Sequence, residues 1–455
     1  MQYEELRDRY PVFVFENYTV SFEGDGLEIV YDFSIPGLAR FSPAWSFGLI
    51  GSRRRPIDRQ CLDRLVFSLG MVELISYWKI CCPPRVNVEC GALDETQKRW
   101  WKKLYIKGLG EYFYKNSIMP DDGFMDILCP LPQKPATVAA TRADTFENPP
   151  KVLVPIGGGK DSAVALELLR GTSERYVYII NPRQASIDTV AASGIRSENV
   201  IVARRTLDKN MLLLNERGFL NGHTPFSAIV AFSSVLAGYI NGMDYVALAN
   251  ESSANETTVA NSDVNHQYSK SFEFEMDFRR YELDHIGSGV EYFSLLRPLL
   301  ELQIARLFSD YTQYHPVFRS CNAASKRDEW CGVCPKCLFV YIILSPFLAE
   351  SELISIFGKN IFEDSSLIPT LDELAGFSAE KPFECVGQRD EVRAALELAI
   401  AKYDESARPL PPLLTRYKDK RGEPFDADKV LAGFDTENAV PPAFLATVIA
   451  AVGRI

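Results

Sequence analysis

The sequence has 455 residues, which is enough for two or three domains with substantial cores. Its composition, 47% apolar and 24% charged, is ordinary for a globular protein, and no apolar run is long enough to cross a bilayer. The net charge of −11 argues against a broad nucleic-acid surface, and the opening MQYEELRDRY lacks the apolar core of a secretion signal. We therefore expect a cytoplasmic protein with no membrane or nucleic-acid partner. Its ten cysteines then indicate thiols, catalysis or a metal site rather than disulfides.

The first part of the chain predicts an α+β domain over residues 1–130. Apolar and polar residues alternate on both sides of a GDG turn, a pattern typical of a β-hairpin. Helical patterns follow at 61–78 and 94–114. Residues 130–150 then contain five prolines and no apolar periodicity, so we predict a linker over 131–147.

Beyond the linker the pattern changes to alternating strands and helices. Helix-like stretches such as 161–170 and 226–240 separate short apolar runs that are rich in β-branched or aromatic residues. Those runs are KVLVPI at 151–156, RYVYII at 175–180, NVIVA at 199–203 and DYVALA at 244–249. They predict a doubly wound α/β domain with a parallel sheet over 148–345, followed by a mainly helical region over 346–455.

A glycine-rich turn, VPIGGGKDS, follows the first of these strands and leads into a helix. Glycines at 157–159 allow the backbone to approach an anion closely, and the free N–H groups of the helix start point at the same anion. Lys160 adds a positive charge, and Ser162 can cap the helix or donate to a phosphate oxygen. The turn fits neither a Walker A loop, since Asp161 follows the lysine, nor a dinucleotide fingerprint. A plain glycine-rich turn is the alternative.

The loop resembles the SGGxDS loop of the N-type ATP pyrophosphatases, the PP-loop superfamily. The resemblance implies a PP-loop fold that binds ATP with Mg²⁺ and releases pyrophosphate. Carried over residue by residue, it implies that the pyrophosphate is held by Gly157, Gly158, Gly159, Lys160, Asp161 and Ser162. It also implies that adenine meets the chain near Asn181, at the end of the second strand. Gly157 departs from the superfamily pattern, because it replaces a serine and removes one hydroxyl donor.

Four cysteines form a close set, Cys321, Cys331, Cys334 and Cys337, with spacing C-x9-C-x2-C-x2-C. Four thiolates so close together suit a tetrahedral structural zinc site. The spacing resembles that of cyano-deazaguanine synthases, which are PP-loop enzymes with structural zinc. Unmetallated thiols in a turn before a helix are the alternative, and an iron–sulfur cluster is a further one.

A long polar segment follows the strand at 244–249, where a doubly wound sheet binds its ligands. We predict that part of it contacts Mg²⁺ or a polar substrate and that the rest holds an anionic group. The substrate-binding candidates are Asn250, Ser253, Asn255, Glu256 and Gln267, and the catalytic candidates are Glu251, His266 and Lys270. The alternative is a solvated surface loop.

Three further features have weaker signals. His223 in NGHTP opens a helix beside the expected crevice, and a helix-entry hydrogen bond is its more ordinary role. The basic run at 52–56 could bind a phosphate or be a solvated turn. Cys385 in KPFECVG could supply a thiolate base, although a buried structural cysteine is the more common case.

Six strings together, PIGGGKDS, NGHTP, NESSANE, VNHQYSKS, WCGVCPKC and KPFECVG, resemble the MurL family over nearly the full length. The family comprises ATP-dependent UDP-N-acetylmuramoyl-L-alanyl-L-glutamate epimerases of bacterial cell-wall synthesis. The resemblance implies that the terminal L-Glu of a UDP-linked muramoyl dipeptide is inverted to D-Glu, with AMP and pyrophosphate as products.

The implied chemistry explains the use of ATP. Adenylation cancels the charge of the glutamate carboxylate, so that a positioned base can remove the α-proton and an acid can return it on the other face. In this interpretation Lys160 and Mg²⁺ offset charge at the α-phosphate. The runner-up is a PP-loop ligase that forms amides or nitriles, similar to cyano-deazaguanine synthase. A tRNA-thiolating enzyme and a nucleotide-binding regulator are further alternatives.

Overall fold

The computed structural model describes residues 2–50, 56–130, 149–256 and 264–453. The predicted linker and most of the basic run at 52–56 lie outside these ranges. The described strands are β1 (Val12–Glu23), β2 (Gly26–Ile35), β3 (Ala39–Phe41), β4 (Ala44–Gly48), β5 (Arg85–Val88), β6 (Asp126–Leu128), β7 (Lys151–Pro155), β8 (Glu174–Ile180), β9 (Val200–Thr206), β10 (Tyr245–Leu248) and β11 (Glu291–Ser294).

The helices confirm both helical patterns before the linker and the helical character of the last hundred residues. They are α1 (Tyr3–Arg9), α2 (Arg59–Trp78), α3 (Glu95–Gly108), α4 (Gly110–Lys115), α5 (Lys160–Leu168), α6 (Gln184–Ser193), α7 (Lys209–Glu216), α8 (Phe226–Asn241), α9 (Phe272–Tyr281), α10 (Glu301–Ser309), α11 (Pro335–Leu344), α12 (Glu350–Phe357), α13 (Ile368–Leu374), α14 (Arg389–Glu405), α15 (Pro412–Lys420), α16 (Ala427–Leu431) and α17 (Pro442–Val452). No helix in the described ranges combines the length and apolarity that a membrane crossing needs.

The strands form one mixed sheet in the order β11-β10-β7-β8-β9-β4-β2-β1-β5-β6, with β3 paired to β2. The predicted hairpin is confirmed as the antiparallel pair β1–β2, and the five strands β7 to β11 pair in parallel. Strand β4 joins the two groups through antiparallel pairing with β9. The protein is therefore a mixed α/β protein with a large, mostly parallel sheet and a helical C-terminal region.

The parallel strands also fix where a ligand can bind. From β7 the chain moves outward through β8 and β9, and it then returns to the other side of β7 for β10 and β11. The strand order therefore reverses between β7 and β10, and the carboxyl ends of two such strands are where an open α/β sheet has its ligand-binding crevice. The glycine-rich turn follows β7 and the polar segment follows β10, so both meet at this crevice.

The C-terminal helices cover this part of the sheet instead of standing apart from it. Buried residues of β7, such as Val154, belong to the same apolar core as Phe339 of α11 and Leu396 of α14. Helix α11 begins at Pro335, a position where the missing N–H of proline costs no helical hydrogen bond. The helix is apolar on nearly all sides, as expected for a helix that other elements surround, and almost all of its residues are buried. This packing brings the ends of α11 and α14 to the crevice.

Candidate active site

The glycine-rich turn has the geometry of an anion-binding loop. Gly158 has φ of +91°, which is the left-handed region, and a Cβ there would lie 2.9 Å from the carbonyl carbon of Ala185. At Gly157, in contrast, a Cβ would meet no atom within 4 Å. The carbonyl oxygen of Gly158 accepts a hydrogen bond of 2.8 Å from the amide of Arg319, which fixes the turn from behind. The start of α5 is thereby directed at the crevice.

Lys160, the first residue of α5, is buried and forms ion pairs with Asp161 and Glu301. Burial by itself lowers the pKa of Lys160, but the two carboxylates outweigh it and raise that pKa above its ordinary value. Burial and the charge of Asp161 raise the pKa of Glu301 to about 6. Ser162 donates to the carbonyl oxygen of Gly159 at 3.0 Å. The loop thus ends in a buried charge cluster whose lysine is held in place by two carboxylates.

The polar segment after β10 contributes side chains to the same crevice. Asn250 donates to Ser294 at 3.1 Å, and Glu251 is buried. Ser253 donates to the carboxylate of Glu391 at 2.8 Å. Burial, with the nearby charges of Glu301 and Glu251, raises the pKa of Glu391 to about 7. These contacts tie the segment to helix α14.

Arg297 joins the two ends of the polar segment. Its side chain is fully buried and donates to Glu275 at 3.1 and 3.2 Å. The same guanidinium also donates to the carbonyl oxygens of Glu251 and Lys270. Because a guanidinium has five donors in a rigid plane, one residue can hold three partners at fixed positions. Arg297 therefore positions two of the predicted catalytic residues.

Lys270 lies among the acidic groups of the crevice. Burial lowers its pKa, but the nearby charges of Cys385, Glu251, Asp161 and Glu301 outweigh this effect and raise the pKa. The lysine is thus electrostatically coupled both to the loop and to the segment around Cys385. Its ammonium group stays charged at neutral pH.

His266 belongs to a second cluster beside Lys270. Its Nδ1 hydrogen-bonds to Glu111 of α4, and its ring also hydrogen-bonds to the thiol of Cys385. Nδ1 of His223 lies 3.4 Å from the same Glu111 oxygen. Burial lowers the pKa of His266, but Cys385 and Glu111 raise it to about 9, whereas burial and His266 lower the pKa of His223 to about 4. A charged histidine thus contacts both a carboxylate and a thiol.

Other predicted residues have local partners. Glu256 forms an ion pair with Lys381, and the amide nitrogen of Gln267 donates to the carbonyl oxygen of Val386 at 3.3 Å. The side chain of Asn255 is exposed and accepts from the amide of Phe272 at 2.8 Å.

Asn181 lies at the carboxyl end of β8, as predicted, and is exposed. Its side-chain amide exchanges two hydrogen bonds, of 2.8 and 2.9 Å, with the backbone of Arg205. The backbone N–H of Asn181 donates to the carbonyl oxygen of Ala203 at 2.9 Å. The side chain and the backbone N–H are therefore both committed to β9, which leaves the backbone carbonyl of Asn181 to meet a ligand.

The structure adds site residues that the sequence did not reveal: Glu111, Glu301, Lys336, Lys381 and Glu391. They come from four helices and one loop, scattered over 280 positions from residue 111 to residue 391. Each is an ordinary charged residue at its own position in the sequence. Only the burial of a charge inside the fold distinguishes them.

The four cysteines of the predicted cluster come together, and their sulfur atoms all lie within 4.8 Å of one another. Three of the sulfur–sulfur distances are 3.8, 3.7 and 3.5 Å. A tetrahedron of thiolates at about 2.3 Å from a zinc ion has edges of about 3.8 Å. The four thiols could therefore hold a structural metal ion.

The fold and the site define an α/β enzyme with buried lysines and carboxylates around a glycine-rich loop, at the carboxyl ends of parallel strands. The family comparison is more specific. The protein-family model described as MurL N-terminal domain matches residues 4–295, and the family model described as MurL C-terminal domain matches residues 317–426. The chain belongs to the MurL family.

Three similar proteins carry the name UDP-N-acetyl-alpha-D-muramoyl-L-alanyl-L-glutamate epimerase. The one from Xanthomonas oryzae pv. oryzae is 32% identical over 428 residues, which cover 92% of this chain and 90% of the relative. The one from Micromonospora sp. is 34% identical over 415 residues, covering 89% and 90%. The one from Salinispora tropica is 34% identical over 408 residues, covering 88% and 86%. No solved structure matches the chain significantly.

Proposed function

We propose that this chain is an ATP-dependent epimerase of peptidoglycan synthesis. It inverts the terminal L-Glu of UDP-N-acetylmuramoyl-L-alanyl-L-glutamate through an acyl-adenylate and releases AMP and pyrophosphate. Membership of the MurL family, with relatives named for this epimerisation, supports the reaction. The observation that carries the adenylation step is the position of the loop at residues 157–162, at the point where the strand order reverses.

The proposal includes a PP-loop fold for residues 148–345, between an N-terminal domain over 1–130 and a C-terminal region over 346–455. The strand order β9-β8-β7-β10-β11 supports it, because it is the doubly wound order with the loop after the central strand. The N–H groups at the start of α5 would hold the pyrophosphate end of ATP. The backbone carbonyl of Asn181 would meet the adenine, since the side chain and the backbone N–H are committed to β9.

Charge in the crevice suits phosphate chemistry. Lys160 would offset negative charge at the α-phosphate as the glutamate carboxylate attacks it. Asp161, Glu251 and Glu301 would hold Mg²⁺, because this ion prefers carboxylate oxygens and these side chains gather beside the loop. When bound, that ion supplies positive charge to the phosphates.

The glutamate end of the substrate would lie along the polar segment. Asn250, Ser253 and Gln267 are buried and offer neutral donors and acceptors, whereas Lys270 offers a positive charge. Once adenylated, the glutamate carbonyl can accept the electron pair of the broken Cα–H bond. Adenylation would thus take place at the glycine-rich loop, and proton transfer would take place along the polar segment. We also infer a cytoplasmic location, where ATP is available.

The test is incubation of UDP-N-acetylmuramoyl-L-alanyl-L-glutamate in D₂O with the protein and Mg²⁺, with and without ATP. Mass spectrometry should detect one deuterium on the glutamate only with ATP, together with AMP. Incubation with ammonia distinguishes the ligase alternative, since incorporated nitrogen without α-exchange would move the protein to that class. Deuterium incorporation without ATP would refute the acyl-adenylate.

We further propose that the four-cysteine cluster binds structural zinc. The sulfur–sulfur distances of 3.5 to 3.8 Å support this assignment. Elemental analysis should find about one zinc per chain, and Cys334→Ser should lose the metal and lower the melting temperature. Cys90→Ser is the matched control, since Cys90 is a free cysteine outside the cluster. Equal zinc content in both variants would contradict the proposal.

A further inference from the structure

We propose that Cys385 is one of the two groups that transfer the α-proton, and that His266 and Glu111 position its sulfur. The inference rests on the proposed epimerase function and names the base that this function requires. It follows from three observations: a Cys–His–carboxylate arrangement, the positive charges around the thiol, and its coupling to the glycine loop.

The arrangement has the order expected of an activated thiol. His266 hydrogen-bonds through Nδ1 to the carboxylate of Glu111, and its ring also hydrogen-bonds to the thiol of Cys385. Glu111 comes from α4, so the histidine is held by a helix remote from the cysteine in sequence. A histidine that is oriented by a carboxylate and hydrogen-bonded to a thiol stabilises the thiolate at neutral pH.

Charges that face the cysteine favour the thiolate further. Lys270, Lys336 and His266 are positive and lie close enough to act on the sulfur, and Glu384 is the acidic neighbour. Burial raises the pKa of the Cys385 thiol, but the charge of Lys270 and the hydrogen bond from His266 lower it to about 6. The ammonium group of Lys336 also donates to the carbonyl oxygen of Cys385, which fixes the backbone there.

The thiol is coupled to the nucleotide end of the site through Lys270. The charge of this lysine acts on Cys385 and also on Asp161 beside the glycine loop.

Next to the cysteine, the side-chain oxygen of Gln267 is buried without a hydrogen-bond partner, while its amide nitrogen donates to the carbonyl oxygen of Val386. An unpaired buried oxygen at this position suits a donor from the substrate, such as a peptide or amino N–H.

The proton balance is complete with groups of this site. Cys385 thiolate takes the α-proton of the adenylated glutamate, so an S–H bond forms, the Cα–H bond breaks and the electron pair moves onto the acyl carbonyl as an enolate. The ammonium group of Lys270 gives a proton to the opposite face of Cα, and the new Cα–H bond completes the inversion. Water then restores the lysine proton and takes the thiol proton.

The test compares wild type with Cys385→Ser, and uses both epimers of the muramoyl dipeptide in D₂O with ATP and Mg²⁺. We expect Cys385→Ser to lose α-deuterium exchange by roughly 100-fold or more from at least one epimer, while AMP formation stays within about threefold. Cys129→Ser is the matched control, because Cys129 is a half-buried free cysteine and the charges that act on it come from Lys98 and Glu95. It should exchange both epimers at the wild-type rate.

Glu111→Gln tests the positioning role, since it keeps the size of the side chain and removes its charge. The pH at which exchange reaches half its maximum should rise, with little change in AMP formation at saturating substrate. Alkylation by iodoacetamide should show the same upward shift for Cys385.

Unchanged exchange from both epimers in Cys385→Ser would overturn the proposal. Loss of AMP formation along with exchange in that variant would also overturn it, because it would indicate a structural role. If wild-type protein forms no AMP with this substrate, the proposed function itself fails, and that result is seen without any variant.

Discussion

Replacing Arg297 with methionine should lower both the stability of the fold and the rate of epimerisation, and the two losses can be measured separately. The guanidinium is fully buried and pairs with Glu275, whose side chain is 1% exposed. Removing one partner of a buried ion pair costs about 3–5 kcal/mol, because the other charge stays buried and unpaired. A chain of 455 residues has an unfolding entropy of roughly 1 kcal/mol/K, so the melting temperature should fall by about 3–5 °C.

The effect on activity should be larger than the effect on stability. Arg297 also holds the backbone at Glu251 and Lys270, and small misplacements of reacting groups can reduce rates by about 100-fold. We expect a loss of that size in ATP-dependent epimerisation at a temperature well below the melting point. Calorimetry measures the loss of stability, and chiral analysis of the glutamate freed by acid hydrolysis of the product measures the loss of activity.

Arg205→Met is the matched control for Arg297→Met. Arg205 makes two hydrogen bonds of 2.8 Å to the fully buried Glu73, where β9 meets helix α2. Its loss should lower the melting temperature by a similar amount and leave the rate within about twofold. If both variants lost activity equally, or if Arg297→Met melted like wild type, the positioning role of Arg297 would be refuted.

Three further predictions concern the loop and the His266 cluster. Gly158→Ala should abolish AMP release, because an alanine in the left-handed φ region costs about 1–2 kcal/mol and its Cβ would meet backbone atoms. Gly157→Ala should keep wild-type AMP release and stability, because a Cβ there meets no atom within 4 Å. Equal behaviour of the two variants would contradict this account. Lys160→Met should slow pyrophosphate release by about 100-fold to 1,000-fold in a coupled assay, and a change below tenfold would exclude a direct role. The raised pKa of His266, about 9 against an ordinary 6.5, stabilises the fold below pH 6.5 and loses this effect as the pH rises through 9. The lowered pKa of Glu111, about 2 against 4.5, stabilises it above pH 4.5 and loses this effect as the pH falls through 2. Urea unfolding should therefore give the largest difference between wild type and Glu111→Gln at pH 4.5–6.5, and a difference that is constant with pH would be inconsistent with the pair.

Much of the crevice was predictable because its signals are local. The strand at 151–155, the glycines after it and the four cysteines each form a continuous or closely spaced pattern. The polar run after β10 was predictable for the same reason, since a buried strand that ends in polar residues marks a ligand-binding edge. Local chemistry at these positions decides local structure.

The remaining site residues had no such signal. Glu301 opens an amphipathic helix and Glu391 lies in the first turn of another, where acidic residues are common for the helix dipole alone. Glu111 lies in a short helix more than 150 residues before the histidine that it orients. Their roles arise only when distant elements pack together, and the pairing of β4 with β9 is likewise non-local.

That pairing has a consequence for how the protein is made. Ala44 of β4 pairs with Thr206 of β9, so the first strands must wait for about 160 more residues before their sheet can be completed. At about 5–20 residues per second, translation imposes a delay of roughly 10–30 s. During that time the edge of β4, with the aromatic rings of Trp45 and Phe47, has no partner strand, and such an edge is a template for aggregation. Yield of native protein should therefore depend on chaperone supply and growth temperature during synthesis.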